Sequence, residues 1–377
     1  MSQAHNRLSL VDAFKAIASQ MIVLHHLSAY GPLAAMARDL LPNLMEWLFG
    51  YGRVAVQIFL VAGGFLAARG LSNNAQALDK SPLSLIWKRY QRLVVPFLVA
   101  IGFAIVCSAV ADRWMDDEAI PARATISQWL AHATLLHGLL GSESLSAGVW
   151  YVAIDFQLFA LLALLLWAGK LHRFLAPLLV AAVTTASLFW FNRDASWDNW
   201  AIYFFGSYGM GVAAWWASDK RRPPWWLGLV VAVVLAALLL EFRLRIAVAL
   251  ATALILGLGR RNGLLERWPD SESIAFLAKI SYSLFLVHFP IYLVINAIFT
   301  KLAIDSSHAA LFGMLLTWSL SVLAATLFHR WVESTKGTQR IVEALRLIVA
   351  ITSSLSLVAL QSLRERFRRV VLGPPGA

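Results

Sequence analysis

Four ionisable side chains, Asp12, Lys15, His25 and His26, interrupt the apolar stretch of residues 10–30. The stretch is long enough to cross a bilayer as a helix, and an ionisable group inside such a span usually faces a partner or a water-filled cavity. A histidine there could exchange a proton during a reaction, since imidazole titrates near working pH. Alternatively, Lys15 pairs with Asp12 at the interface and a histidine hydrogen-bonds between helices; the stretch alone favours neither interpretation.

The spacing of these residues places three of them along one helix face. Lys15 and His26 are eleven residues apart, which brings them to nearly the same face, roughly 16 Å apart along the axis. Asp12 lies three residues before Lys15, where two helical side chains meet. We therefore predict a carboxylate and a cation near the start of this helix and an imidazole three turns further on.

Two further segments carry small or cationic residues where a ligand could bind. Gly63 and Gly64 lie in the middle of an apolar segment and would admit a neighbouring helix or a thin ligand, close helix packing being the commoner use. Arg89 and Arg92 lie three residues apart at the start of another apolar segment. Such a pair suits phosphate oxygens, and it equally suits lipid headgroups, which by frequency are the commoner partner.

Buried polar residues recur in two later apolar segments. Asp155 follows Tyr151 by four residues on the same helix face, and a carboxylate inside a membrane requires a donor or a cation. Ser281 and His288 are seven residues apart, again on one face. A lone histidine on an apolar helix is more often a structural hydrogen-bonding residue than a catalyst, yet His288 would be the second buried histidine in this chain.

The composition is that of a polytopic α-helical membrane protein. The chain has 377 residues, of which 59% are hydrophobic and 14% charged, with a mean hydropathy of +0.67. We predict an all-α fold with ten membrane-spanning helices, and their approximate limits are 10–30, 49–70, 86–111, 147–168, 174–191, 199–217, 225–241, 244–259, 276–299 and 309–331. The segment of residues 126–140 is predicted to be a short helix on or dipping into the outer face.

The distribution of charge predicts the orientation. With the N-terminus inside, 24 of the 32 lysines and arginines lie at or near the cytoplasmic face and eight lie outside, as the positive-inside rule requires. Both termini are then cytoplasmic. If 225–241 and 244–259 formed a single membrane span, all later segments would cross in the opposite direction. Their positive charges would then no longer agree with the rule. The net charge of +11 is thus a topology signal, and we expect no nucleic-acid partner.

Motifs for other chemistries do not occur in the sequence. The single cysteine, Cys107, excludes an intrachain disulfide and a thiolate metal cluster. His132 and His137 are five residues apart, on different faces of a helix, and make a poor metal pair. We expect no metal and no permanently bound cofactor, so any catalysis would depend on histidine.

Six segments, in chain order over about residues 7–334, resemble the acyltransferase-3 family of integral membrane acyltransferases, which modify cell-surface and extracellular polysaccharides. They are LVDAFKAIASQMIVLHH, RVAVQIFLVAGGFL, KRYQR, WYVAIDFQLF, ISYSLFLVHFP and RWVE. Two positions depart from the family pattern: Gly63 replaces the serine before Gly-Phe, and Gln57 replaces an acidic residue often found early in that helix. We predict a membrane domain over 1–334 and a basic amphipathic cytoplasmic tail over 335–377.

The resemblance implies an acyl-coenzyme A donor at the cytoplasmic face and a sugar hydroxyl acceptor at the outer face. The residues expected at the reaction are His26, Asp12 and Lys15. Those expected to hold the donor are Lys15, Arg89, Arg92, Gly63 and Gly64. Those expected to hold the acceptor or support the site are Trp150, Tyr151, Asp155, Ser281, Tyr282 and His288. Asp12 would orient Lys15. His26 would act as general base, with an acyl-histidine intermediate as the second possibility.

The expected substrates are acetyl-coenzyme A, with succinyl as another possible acyl group, and an exopolysaccharide or other surface glycan, free or lipid-linked. Because some family members carry a fused esterase-like domain and this sequence ends without one, we expect the acceptor to reach the membrane domain itself. Trp197 and Trp200 could stack on sugar rings, although anchoring at the interface is commoner. The expected location is the bacterial inner membrane, beside polysaccharide-assembly machinery.

Two other functions are compatible with the same residues. A transporter or flippase of lipid-linked sugars would line its path with these buried charges and would need no coenzyme A. A membrane scaffold in a polysaccharide-export complex would need neither His26 nor Arg89 for small-molecule binding. The binding of a donor separates the enzyme from both.

Overall fold

The computed structural model describes residues 7–172, 174–344 and 346–347. Of these described residues 77% are helical, and none lies in a strand. It divides into two compact units, Met1–Leu327 and Phe328–Ala377. In the second unit a π-helical turn, His329–Glu333, is closed by an ion pair of 3.0 Å between its first and last residues.

Thirteen α-helices precede this turn within the described residues. In chain order they are α1 Ser9–Ala29, α2 Gly31–Arg38, α3 Pro42–Tyr51, α4 Val56–Leu71, α5 Pro82–Ala111, α6 Ile126–Ala133, α7 Trp150–Ala168, α8 Leu175–Phe189, α9 Ala201–Ala217, α10 Trp225–Leu240, α11 Leu244–Arg261, α12 Glu272–Lys301 and α13 Ser307–Phe328. The short α6 begins where predicted, with a capping box of Thr125 and Gln128 at its start, but it ends at Ala133 and not at residue 140.

Each of the ten predicted spans coincides with a helix. In the part of the chain that the structure describes, six helical segments are long and apolar enough to cross a membrane: Pro42–Leu71, Pro82–Ala111, Trp150–Leu171, Leu175–Arg193, Glu272–Lys301 and Ser307–Glu333. The chain is thus a multi-pass membrane protein, while ten crossings with both termini cytoplasmic stay a prediction. Most of the predicted tail, residue 345 and residues 348–377, lies outside the described residues, as does Arg173.

The predicted hairpin between the seventh and eighth segments is confirmed as two helices, α10 and α11, joined by three residues. Arg243 in this link is 8% exposed and donates to the Asn192 side chain and the Leu188 carbonyl oxygen, both at 2.8 Å. These bonds pair a buried charge with acceptors at the end of α8 and thereby fix the sharp turn.

Three helices, α1, α5 and α12, run parallel to one another. Arg7, just before α1, donates to the Ser271 carbonyl oxygen at the start of α12, and Tyr292 of α12 donates to the Tyr30 carbonyl oxygen at the far end of α1. On α5, the Leu93 carbonyl oxygen accepts from Tyr282, while the Lys301 ammonium lies 4.0 Å from the Trp114 ring just beyond the helix end. Residues at matching depths on these helices therefore face one another.

Glycines bring α4 and α9 into close contact. A Cβ atom on Gly64 would overlap the Tyr208 carbonyl oxygen, and one on Gly211 would overlap the Val61 carbonyl oxygen. The same interface contains a hydrogen bond of 2.6 Å from the Ser207 hydroxyl to the Gln57 side chain. Of the two interpretations for Gly64, close helix packing is the use that these contacts show.

We expect Gly64→Ala to destabilise the protein by about 2 kcal/mol or more, because the added methyl group has no space between the two backbones. Gly102→Ala on α5 is the matched control, since a Cβ atom there meets nothing within 4 Å. The measurement is the apparent Tm of both purified variants in detergent. Equal Tm values would contradict the close packing of α4 on α9.

Candidate active site

Two buried histidines meet between α1 and α12. His26 Nδ1 lies 2.7 Å from His288 Nε2, and the two rings meet edge to edge with 5° between their planes and their centroids 5.0 Å apart. His26 is 8% exposed and His288 is 2% exposed. The structure therefore brings together the two histidines that the sequence placed on separate apolar helices.

The hydrogen bonds fix which ring nitrogen carries each proton in the neutral pair. His288 Nδ1 lies 2.8 Å from the Leu284 carbonyl oxygen, which only accepts, so Nδ1 carries the hydrogen. His288 Nε2 is then an acceptor, and His26 Nδ1 donates to it. His26 Nε2 is consequently left with its lone pair. This is the nitrogen that a general base or a nucleophile uses.

The loop before α7 closes over this histidine. Gly148 has φ +83, and a Cβ atom added there would lie 3.2 Å from the Phe285 ring and 3.6 Å from His26 Cε1. Both the backbone conformation and the lack of space favour glycine at this position. The loop backbone thus approaches the edge of the His26 ring.

The far end of α1 is clamped to α12 by residues that the sequence analysis missed. Tyr292 donates to the Tyr30 carbonyl oxygen, and Asn296 Oδ1 accepts from the Leu33 amide at 3.0 Å. Gly31, with φ +68, leaves room for Asn296. His288, Tyr292 and Asn296 follow one another at intervals of four residues. That polar stripe on one helix face was the signal available in the sequence.

Asp155 on α7 obtains its expected cation from α5. Arg89 donates to Asp155 Oδ2 at 2.5 Å, and the two side chains are 29% and 12% exposed. Arg92 is exposed and has no hydrogen bond or ion pair with a described residue. The sequence predicts Arg89 at the donor and Asp155 at the acceptor. The structure instead joins the two side chains in one ion pair. Phosphate binding by the arginines stays a prediction.

Aromatic rings and a glycine surround this ion pair. Tyr151, one turn before Asp155, packs its ring 5.5 Å from Phe285 and 5.9 Å from Phe59. A Cβ atom on Gly63 would lie 3.3 Å from the Tyr208 ring and 3.6 Å from Asp155 Oδ1. Gly63 therefore borders the ion pair, unlike its neighbour Gly64, which packs on the backbone of α9.

At the start of α1, Asp12 pairs with a residue that the sequence analysis did not select. Arg7 Nε donates to Asp12 Oδ2 at 2.9 Å. Lys15, one turn further on, is half-buried. The carboxylate thus contacts a cation as expected, but that cation is Arg7. The orientation of Lys15 by Asp12 stays a prediction.

The remaining predicted residues have mainly structural contacts. The buried Ser281 hydroxyl donates to the Ala278 carbonyl oxygen of its own helix at 2.8 Å, and Tyr282 donates to Leu93 of α5 at 3.2 Å. Trp150 stacks on Phe204 with ring centroids 5.6 Å apart. His25 Nδ1 lies 3.1 Å from the Leu48 carbonyl oxygen, which ties α1 to α3.

No group of three or more histidine, cysteine, aspartate or glutamate side chains in the described ranges could hold a metal ion. The rings of His132 and His137 stack 4.1 Å apart. His132 Nδ1 contacts the Gln128 carbonyl oxygen at 2.8 Å and its Nε2 accepts from the Leu145 amide at 3.2 Å. Both nitrogens of His132 are therefore occupied within the protein.

Comparisons with known proteins place this arrangement in context. A family model, Acyl_transf_3, described as an acyltransferase domain, matches residues 9–328. The O-acetyltransferase OatA of Staphylococcus aureus is 21% identical over 86% of this chain and 56% of its own length. The Regulator of hypoxia-inducible factor 1 of Caenorhabditis elegans is 23% identical over 49% of this chain and 39% of its own length. The chain spans about half the length of the first of these relatives, and no solved structure matches it.

The proton order can be observed directly. In NMR spectra of protein labelled with ¹⁵N-histidine, we expect the neutral form of His26 to show a protonated Nδ1 and an unprotonated Nε2. The reason is that the Leu284 carbonyl oxygen accepts from His288 Nδ1, which leaves His288 Nε2 to accept from His26 Nδ1. Spectra of His26→Ala and His288→Ala assign the signals. A protonated Nε2 on His26 at neutral pH would show that the order is reversed.

The ion pair between α5 and α7 should behave as a coupled unit. We expect Arg89→Met and Asp155→Leu each to destabilise the protein by about 2 kcal/mol, and the double variant by clearly less than their sum, because each single change strands a charge. The exposed pair of Arg193 and Glu241 is the control, since Arg193→Ala should cost under about 1 kcal/mol. Additive losses in apparent Tm for the buried pair would refute the coupling.

Proposed function

The chain belongs to the acyltransferase-3 family of membrane acyltransferases, and from this premise we propose that it transfers an acetyl group from acetyl-coenzyme A to a hydroxyl of a cell-surface glycan. The observation that supports this most directly is the free lone pair on His26 Nε2. It is left there because His288 Nδ1 donates to the Leu284 carbonyl oxygen and His26 Nδ1 donates to His288 Nε2. The similarity to an O-acetyltransferase favours acetyl as the acyl group. The proposed site of action is the bacterial inner membrane, beside polysaccharide-assembly machinery.

The reaction requires one base next to an acceptor hydroxyl. His26 Nε2 takes the hydroxyl proton as the oxygen attacks the thioester carbonyl carbon. The tetrahedral intermediate then collapses, its carbon–sulfur bond breaks, and the thiolate of coenzyme A leaves and takes the proton from His26. Throughout, His26 Nδ1 donates to His288, which keeps the ring in the orientation that presents Nε2. His288 is therefore a positioning residue.

The alternative course uses the same lone pair as a nucleophile. His26 Nε2 would attack the thioester carbon and expel the thiolate of coenzyme A. The acceptor hydroxyl would then attack the acyl carbon, the carbon–nitrogen bond to His26 would break, and the hydroxyl proton would pass to the thiolate. Both courses require an unprotonated Nε2. Rapid acid quenching of a reaction with radiolabelled acetyl-coenzyme A separates them, because only the nucleophilic course leaves label on the protein in the absence of acceptor.

The donor is proposed to enter from the end where α1 begins. Lys15 and His26 are eleven residues apart on one helix, a span of roughly 16 Å that the extended arm of coenzyme A could cover. Lys15 and the exposed Arg92 remain the proposed phosphate contacts. Arg89 is committed to Asp155, so in this proposal it acts first by holding α5 against α7 and only secondly as a donor contact.

The test is the binding and turnover of acetyl-coenzyme A by purified protein in detergent, with a soluble oligosaccharide as acceptor. We expect His26→Ala to keep donor binding and lose at least about 10²-fold in turnover, because a positioned general base contributes roughly this much. His288→Ala should lower turnover at nearly unchanged donor KM. Arg92→Ala should weaken donor binding.

The matched control is His25→Ala, since this neighbouring imidazole bonds to Leu48 on another face of α1. It should retain turnover per folded molecule. Full turnover in His26→Ala would exclude the assigned base. If the wild type binds no acyl-coenzyme A at all, the enzyme proposal fails and transport of a lipid-linked sugar becomes the better explanation.

A further inference from the structure

A cavity of about 230 Å³ lies beside the first two turns of α7, on a different face from Asp155. Its lining comes from α7, from the segment after α6, from the segment between α8 and α9 and from the first turn of α9; it includes His137, Trp150, Gln157, Asp198, Asn199 and Phe204. One water molecule takes about 30 Å³ of liquid. The cavity therefore has space for a small ring compound.

One side chain that lines the cavity has polar atoms without a partner. His137 is 1% exposed, and neither of its ring nitrogens has a hydrogen bond. Burial, together with the neighbouring His132, lowers the pKa of His137 to about 4, so the ring is neutral at neutral pH. It then carries one donor and one acceptor. Buried polar groups are normally satisfied, and an orphaned pair of this kind indicates a ligand or water in the cavity.

The neighbouring His132 differs from His137 in the hydrogen bonds of its ring nitrogens. The two rings stack 4.1 Å apart in the same environment. His132 uses both nitrogens on backbone groups of its own segment, whereas His137 uses neither. The stack accounts for the position of the His137 ring but not for its two nitrogens, and the same residue lines the cavity.

The rest of the lining suits a neutral, polyhydroxylated ring. Trp150 and Phe204 form an aromatic wall, against which the C–H face of a sugar packs. Asp198 and Asn199 add polar groups to the lining. Asn199 fits against Gly138, because a Cβ atom on that glycine would lie only 2.7 Å from Asn199 Oδ1. Among the described residues that line the cavity there is no arginine or lysine. A phosphate or other anion is therefore disfavoured.

A short backbone segment connects this cavity to the histidine pair. Gly148 borders His26 Cε1, and Trp150, two residues later, lines the cavity. A glycan that occupied the cavity with one ring would thus lie next to the segment that closes over His26.

We propose that this cavity is a subsite for one neutral sugar ring of the acceptor glycan, in which His137 hydrogen-bonds a ring hydroxyl and Trp150 packs on the ring face. This inference rests on the proposed acyl transfer to a glycan. It goes further by locating where the acceptor is held apart from the reacting hydroxyl. It also assigns a use to His137, whose nitrogens have no partner within the protein.

The first test replaces His137 by an aromatic ring of similar shape. His137→Phe keeps the stack on His132 and Phe97 and removes only the two nitrogens. We expect unchanged or higher Tm, unchanged KM for acetyl-coenzyme A, and a KM for cellotetraose, maltotetraose or chitotetraose raised about tenfold. His132→Phe is the matched control and should lower Tm, because it breaks two backbone hydrogen bonds.

The second test needs no activity. Cys107 is the only cysteine, so Cys107→Ala provides a background for single-cysteine labelling. A maleimide should modify Asp198→Cys in the cavity and Ser196→Cys on the same segment but outside the lining. We expect at least one of the three tetrasaccharides to slow labelling at position 198 in proportion to its concentration and to leave position 196 unaffected.

The two proposals fail separately. If transfer depends on His26 but His137→Phe leaves the acceptor KM unchanged and no tetrasaccharide protects position 198, the subsite is wrong and the acyltransferase proposal stands. If a tetrasaccharide protects position 198 while no acyl-coenzyme A is turned over, the subsite stands and the proposed reaction fails. Protection at both positions alike would show non-specific binding and would also overturn the subsite.

Discussion

A buried imidazole has two nitrogens to satisfy, and the hydrogen bond between His26 and His288 satisfies one nitrogen on each ring. The bond is possible because α1 and α12 run parallel and in register, fixed by Arg7 at one end and by Tyr292 and Asn296 at the other. If α1 slid by one turn, about 5.4 Å, the bond would be lost. The depth and rotation of the candidate base are therefore set by contacts about one turn away on one side and about five turns away on the other.

The second constraint is the close approach of α4 to α9. Glycines at positions 64 and 211 allow the two backbones to touch, and this contact brings Tyr208 beside Gly63 and Asp155. Asp155 in turn holds α7 to α5 through Arg89. Small residues thus determine where the carboxylate of Asp155 lies. For this reason Gly64 has a packing contact with α9, whereas its neighbour Gly63 borders the carboxylate and is a candidate ligand contact.

Much of this arrangement could be predicted from the sequence. Apolar length and periodicity placed each predicted span on a helix, and the rule that buried charge needs a partner correctly indicated that Asp155 has a donor or a cation. The identity of partners could not be predicted, because Arg89 and Asp155 are 66 residues apart and only the packing of α5 on α7 joins them. Asp12 shows the same limit, since it contacts Arg7, which lies before the helix and which helical spacing could not indicate.

The chemistry of the site differs from that of a Ser-His-Asp triad, in which a buried carboxylate orients the base and stabilises its charged form. Here the group behind His26 is a neutral imidazole, itself held by a backbone carbonyl oxygen. The carboxylate of Asp155 is committed to Arg89 instead, and Tyr151, on the same helix, packs on Phe285. The pair fixes the orientation of His26 without placing a full negative charge behind it. In the proposed attack on a thioester, such a base would depend on close positioning of the acceptor hydroxyl.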